Sequence, residues 1–319
     1  MVAALYTANV ERLSAQAAIP HFTAMEQRCG SIARALRATT NRRGVLDEGG
    51  TASGPRYHLF LTLRGGLSML VDALIRQMPE ASLQRSTTVQ RIEPACAAAG
   101  AGWTLHLANG QTVPADALCV ALPSHDAAPL LRPWAAAAAD ALAEIPSESV
   151  VTVHMAFERR AVRHPLNGFG FVVPSVERRR IVGCTFSSVK FHGRAPRGMV
   201  LLRAFLGGAT QRSLLELEDR ALEQVVYDEL RDLLGLRAAP CLVSIHRLPQ
   251  AMPQYHIGHL ARITSVEESL RCFPRLQVIG NSFRGVGLPE CIRLAEAAAE
   301  QVWASLSVMP PRLLDHSGE

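Results

Sequence analysis

The stretch Gly280 to Ile292, GNSFRGVGLPECI, follows the largely apolar run Leu276-Gln277-Val278-Ile279 and leads into alanine-rich sequence from Arg293 to Ala304. That order predicts a strand, a glycine turn and a helix. A buried strand delivers the chain to the turn, and glycines let backbone approach a ligand closely. The helix that follows directs its unpaired N–H groups and positive dipole end at whatever lies there. Pro289 suits the first helical turn, where its missing N–H costs nothing, and Glu290 complements the dipole. On spacing alone, Gly285-Val286-Gly287 is read more readily as a purely steric strand-to-helix turn than as a ligand site.

With 319 residues, 48% hydrophobic and 19% charged, the chain is globular and long enough for two lobes. No run of about 18 apolar residues marks a membrane span, and the first residues lack the pattern of a secretory leader, so the cytoplasm is the default compartment. The seven cysteines are scattered without a C-x-x-C pair, which suits a reducing compartment and buried packing rather than disulfides or zinc. His256 and His259 are spaced to share a helical face, but no further ligand set accompanies them, and a surface or turn role is expected. A net charge of +5 favours acidic partners. The densest basic run, Arg178-Arg179-Arg180, has no interleaved aromatics and reads as a solvated hairpin turn, so nucleic acid is not expected as a partner.

Apolar spacing predicts two or three short helices between Val10 and Thr40, then a mobile linker over Asn41 to Arg56. An amphipathic helix is expected from Leu67 to Met78, then strands near Thr88 to Ile92, Trp103 to Leu107 and Ala117 to Leu122. The Asn109-Gly110 pair signals a hairpin between the last two. Strands at Val150 to Phe157, Gly170 to Val173, Ile181 to Phe186 and Met199 to Phe205, with turn residues between, predict antiparallel pairing. A helix from Ser213 to Leu234, capped by Gly235, and a strand from Cys241 to Leu248 complete the series.

Four blocks carry a resemblance: GFGFVVPS at Gly168 to Ser175, TFSSVKFHGRAPRGMVLLRAFLGGA at Thr185 to Ala209, AMPQYHIGHL at Ala251 to Leu260, and GNSFRGVGLPECI itself. In this order they resemble the oxygen-dependent protoporphyrinogen and coproporphyrinogen oxidases, FAD flavoproteins of haem biosynthesis, from about Leu5 to the last helix. The resemblance implies a two-lobed, FAD-linked oxidoreductase fold of mixed α+β and α/β type. In it, 1–45 is a helical segment of the region facing substrate or membrane and 56–125 the middle of the FAD domain. Residues 126–275 form a substrate domain with an antiparallel sheet, and 276–308 a returning FAD-binding strand, turn and helix. Flavoproteins of this kind begin with a G-x-G-x-x-G turn for the FAD pyrophosphate, and no such triplet occurs in the 319 residues. The first residues resemble the interior of the family's helical region, so Met1 is expected to be an internal methionine of a chain lacking its first cofactor-binding unit.

The implied chemistry is removal of six electrons from a porphyrinogen in three flavin-mediated steps, with oxygen as acceptor and hydrogen peroxide as product. Flavin carries that chemistry, so no side chain is expected to be catalytic and no metal is required. Phe191 resembles the family aromatic that packs on a pyrrole ring, and Phe171 and Val172 the opposing apolar wall. Each is equally readable as core. For FAD the resemblance implies Gly280, Asn281, Gly285, Val286, Gly287 and Leu288, with backbone N–H groups of Val286 to Leu288 toward the flavin. It also places Val89 beside the adenine, although by its residues alone Val89 is an ordinary core valine. The family's helical region often lies at a membrane surface, so peripheral membrane contact is a further expectation. Two alternatives stand: a related FAD amine oxidase or carotenoid desaturase, and a non-catalytic tetrapyrrole-binding protein that has lost its cofactor.

Overall fold

A computed structural model describes residues 6–43, 61–95, 102–273 and 275–307. Ten α-helices occur among them: α1 (Ala15–Ala18), α2 (Pro20–Cys29), α3 (Ile32–Arg43), α4 (Ser68–Gln77), α5 (Ser124–Leu131), α6 (Ala136–Ala143), α7 (Ser187–Lys190), α8 (Asp219–Leu234), α9 (His259–Ser269) and α10 (Leu288–Ser307). The strands are β1 (Val89–Pro94), β2 (Trp103–Leu107), β3 (Thr112–Ala115), β4 (Leu118–Val120), β5 (Ser147–Glu158), β6 (Gly170–Val172), β7 (Gly183–Phe186), β8 (Met199–Gly207), β9 (Leu242–Pro253) and β10 (Leu276–Val278). The linker read over Asn41 to Arg56 begins inside α3 and otherwise falls outside the described residues.

The chain divides into two compact units, one of residues 1–84 and 148–252, the other of 85–147 and 253–319. Of the 126–275 span read from the sequence, only 148–252 falls in the unit that holds the five-stranded sheet. Residues 126–147 and 253–275 go to the other unit because α5, α6 and α9 pack on one another there.

In the first unit, five strands lie in the order β6-β7-β8-β5-β9, with the first three neighbouring pairs antiparallel. Alternation builds the core: Val151, Val153, Met155 and Phe157 of β5 and Val200, Leu202, Ala204 and Leu206 of β8 all point one way. Against them α8 lays Leu222, Val225, Val226, Leu230 and Leu234, a stripe at helical spacing. Each such fully buried side chain stabilises the unit by roughly 1.5–3 kcal/mol. Gly235 ends α8 in the left-handed conformation (φ 65°), as its place in the sequence predicts.

The expected helix from Ser213 is interrupted. Arg212–Glu216 is a separate 3-10 turn, and Leu217 and Glu218 are extended. The cause is Arg247 on β9, whose guanidinium donates to the carbonyls of Leu215 (2.8 Å) and Leu217 (2.7 Å) and to Asp219 (2.6 Å). Those carbonyls are satisfied outside any helix, and α8 starts only after them. Arg178-Arg179-Arg180 does lie between β6 and β7, and Arg179 pairs with Glu229 (3.1 Å) and Asp232 (2.7 Å) of α8.

In the second unit, β1, β2 and β3 form an antiparallel sheet, while β4 and β10 pair in parallel. This corrects the hairpin expectation. Asn109-Gly110 joins β2 to Thr112–Ala115, with Leu105 opposite Val113, and the strand at Leu118 pairs instead with Leu276. Pro114 hid β3 from the pattern, because proline is tolerated in a strand only where no ladder donor is needed, and β3 is the sheet edge. The core of this unit gathers Trp103, Trp134 and Phe273, with ring centroids 5.0 to 5.7 Å apart, beside Leu131, Leu142 and Ile263.

Candidate functional site

Strand β10 leads into the glycine turn, and the first half of that turn is held by the protein itself. Ile279 donates its N–H to Val120 at 3.0 Å, carrying the β4 pairing one residue further. Gly280 has φ 144°, and a Cβ there would stand 3.2 Å from the Leu122 carbonyl. Only glycine fits without strain. Tyr255 then donates its hydroxyl to the Asn281 carbonyl at 2.6 Å, and Ser124 its N–H to Ser282 Oγ at 3.2 Å. His259 Nε2 meets the Phe283 carbonyl at 2.7 Å. A carbonyl only accepts, so Nε2 carries the proton and Nδ1, buried without a partner, carries none. Burial holds His259 below its ordinary pKa. The Phe283 hydrogen bond opposes this, while Arg262, Arg284 and His256 nearby push the same way as burial.

His259 is thus 1% exposed, stacked on Tyr255, and no surface residue. The signal was available in the sequence: His259, Ile263 and Val266 fall at helical spacing on the buried stripe of α9. Among the described residues, no three His, Cys, Asp or Glu side chains converge as metal ligands.

The second half of the turn is different. Arg284 is fixed by Glu267 through contacts of 3.0 and 2.6 Å. After it, Gly285 and Gly287 have φ values outside the left-handed range. A Cβ on Gly285 would first meet the Glu290 side chain, itself paired with Arg293. A Cβ on Gly287 would meet nothing nearer than Pro289 Cδ at 3.8 Å. Neither backbone conformation nor internal packing therefore calls for glycine at Gly287. Beside it Leu288 and Ile292 stand 45% and 42% exposed at the N-terminal end of α10. Bare backbone next to exposed apolar side chains, ahead of a helix N-terminus, is the surface a flat, partly apolar cofactor requires. The residues present fit a flavin. Val89 opens β1 opposite Leu107, just before a bulge, and packs against the core of this unit.

The residues expected on the substrate side, Phe171, Val172 and Phe191, all belong to the first unit. Phe171 and Val172 are neighbours on β6, but their side chains take opposite faces of the sheet. Phe171 turns toward the α8 core and meets Phe186 edge-on at 6.1 Å. Val172, 44% exposed, stands on the face away from α8, opposite Gly183 and in the same cross-strand row as Phe205. Phe191 stands at the end of a helix. It caps α7, donating its N–H to the Ser187 carbonyl at 3.1 Å, and it is not among the side chains packed on the core. The Lys190 ammonium lies 5.4 Å from its ring centroid.

Comparison with known proteins gives the family of the chain. Residues 1–303 match the family model described as flavin containing amine oxidoreductase. The chain is 29% identical over 299 residues to the coproporphyrinogen III oxidase of Bacillus subtilis (strain 168), covering 93% of this chain and 62% of that protein. It is 33% identical over 337 residues to the coproporphyrinogen III oxidase of Propionibacterium freudenreichii subsp. freudenreichii, covering 97% and 62%. A crystal structure from Exiguobacterium sp. 255-15, described as a protoporphyrinogen oxidase, superposes with a TM-score of 0.73 at 29% identity, over 96% of this chain and 62% of that one. The chain spans 62% of the length of these relatives. Helices with antiparallel sheets, and a strand, glycine turn and helix suited to flavin, accord with that match, and the chain belongs to the flavin-containing amine oxidoreductases.

Proposed function

We propose that the protein oxidises a porphyrinogen, coproporphyrinogen III or protoporphyrinogen IX, to the porphyrin with oxygen as acceptor, a step of haem biosynthesis. The observation that carries this reading is Gly287, a glycine that neither its backbone conformation nor its packing requires, in the turn just ahead of α10. Its support in substrate class is the likeness to porphyrinogen oxidases over almost the whole chain. Bound FAD supplies the hydride acceptor and returns the electrons to oxygen.

The chain's own residues hold and orient. Asn281 and Phe283 are fixed through their carbonyls by Tyr255 and His259, so the turn from Gly285 to Leu288 is presented on a rigid base. Backbone N–H groups of Val286, Gly287 and Leu288 would hold the flavin, Gly280 keeps the strand close to Leu122, and Val89 would lie beside the adenine. Val172 and Phe191 supply apolar surface to the tetrapyrrole, while Phe171 packs into the core from the other face of β6. No side chain is needed as nucleophile or acid. Among the described residues no helix is long and apolar enough to cross a membrane. Contact with a bilayer, if made, is peripheral in this reading.

The test is to supply the chain with excess FAD and either porphyrinogen, and to follow porphyrin fluorescence together with peroxide. Porphyrin and peroxide appearing together only in air is the expected result. Flavin binding without porphyrin from either substrate, alongside turnover of a primary amine, would assign the protein to the amine-oxidising branch instead.

A further inference from the structure

In the second unit, α9, β10 and α10 contribute to the lining of an open recess of about 520 Å³. That volume falls within the range of small-molecule pockets, about 300–1,000 Å³. Much of its lining is apolar: Leu270, Phe273, Leu276 and Phe283 contribute to it, with Ala297 and Ala298 from α10. The two alanine methyl groups leave space that a larger side chain on this part of α10 would occupy. Three charged side chains line the same recess, Glu267, Arg271 and Arg284. Glu267 precedes Arg271 by four residues, the separation at which an acid and a base on a helix pair. Arg284 takes both Glu267 oxygens instead, at 3.0 and 2.6 Å. Arg271 is left with no ion pair and no side-chain hydrogen bond among the described residues. With two arginines against one glutamate, the recess carries one cation in excess, and the amides of Gln277 and Gln301 lie on its lining as further donors.

One apolar body with one anionic head answers both features. The body displaces water from the lining, and the head accepts hydrogen bonds from a planar guanidinium whose fork matches a carboxylate. We propose that this recess binds a long-chain monocarboxylate, its carboxylate on Arg271 and its chain against Phe273 and the α10 alanines. None of the lining residues is among those assigned above to flavin or porphyrinogen, so the site stands or falls apart from that reading. Phe273 also makes the recess self-reporting. Its ring centroid lies 5.7 Å from that of Trp103 and 5.0 Å from that of Trp134, so a chain laid against it alters tryptophan emission. The third tryptophan, Trp303, is 73% exposed, and Trp303→Phe removes its signal.

The probe is dodecanoate, titrated below its micelle-forming concentration into the full chain carrying Trp303→Phe, beside dodecanol and dodecylammonium. The expected result is one saturable site that prefers dodecanoate to dodecanol by about tenfold, the worth of a charge-assisted hydrogen bond, with dodecylammonium weaker than either. Adding Arg271→Gln should bring dodecanoate down to the level of dodecanol and leave the alcohol within about threefold. Adding Ala297→Phe should weaken both by at least about tenfold, because the ring fills the recess. Thermal midpoints show which variants are folded, and if Ala297→Phe is not, the acid-to-alcohol ratio in Arg271→Gln decides. An unchanged ratio in Arg271→Gln, undiminished binding by a folded Ala297→Phe, or no saturable response to dodecanoate overturns the site. Displacement of dodecanoate by FAD would put the amphiphile on the flavin turn and overturn it equally.

Discussion

Tyr255 and His259 lie stacked, their ring centroids 4.0 Å apart and their planes 17° from parallel, and each hydrogen-bonds a carbonyl of the same glycine turn. One turn of chain thus holds two points of another, Asn281 and Phe283, two residues apart. Removing one hydroxyl should show how much of the turn's order depends on this. Tyr255→Phe keeps the stack but strips the Asn281 carbonyl of its donor, at a cost of about 1–3 kcal/mol when a buried acceptor is left unpaired. Chemical denaturation should show that loss, and FAD titration a parallel weakening. Unchanged stability would mean that the carbonyl finds water instead.

His259 predicts a direction for pH. Its folded pKa is lowered, chiefly by burial, while the unfolded chain titrates near the ordinary value of about 6.5. Above that value neither state is protonated and the stacked, neutral ring contributes fully. As pH falls through about 6.5, the unfolded chain binds a proton that the folded chain refuses, so stability falls until the folded pKa is passed. His154 shifts the same way, so the informative quantity is a difference. Urea midpoints at pH 7.5 and 5.5 should drop less in His259→Gln than in the unaltered protein. Equal drops would remove His259 from the account.

Phe191 separates a ligand-facing ring from a packing one. Its position at the end of α7, off the α8 core, predicts that Phe191→Ala weakens coproporphyrin III binding by roughly tenfold through lost apolar contact. Thermal stability should hardly change. A core aromatic would instead cost about 3–5 kcal/mol, and a large fall in midpoint with unaltered porphyrin affinity would return Phe191 to packing.

Much of the architecture was legible because one periodicity dominated each segment. The strands of the five-stranded sheet and the stripe of α8 followed from alternation and helical spacing, and the turn at Gly280 from strand, glycines and alanine-rich helix. What stayed hidden was decided by partners remote in sequence. Arg247 breaks the helix expected from Ser213 by taking carbonyls some 30 residues away. Leu118 finds Leu276 rather than the nearby hairpin. The glycines of the turn looked alike in sequence, yet the structure separates Gly280, fixed by φ and by Leu122, from Gly287, fixed by neither.

That separation permits the most direct measurement. FAD is titrated by fluorescence quenching into the chain and into Gly287→Val, Gly280→Ala and Cys291→Ala, with thermal midpoints recorded on the same preparations. Titration rather than retention through purification is the suitable readout, since the 319 residues contain no G-x-G-x-x-G triplet to hold the pyrophosphate. Gly280→Ala should destabilise the fold by about 1–3 kcal/mol, as L-residues do at such φ, and Cys291→Ala should do little to either quantity. Gly287→Val should leave the midpoint close to that of the unaltered chain and weaken FAD by at least about tenfold, or ~1.4 kcal/mol. Gly287→Val binding FAD as tightly as Cys291→Ala does would contradict the assignment of this turn to the flavin.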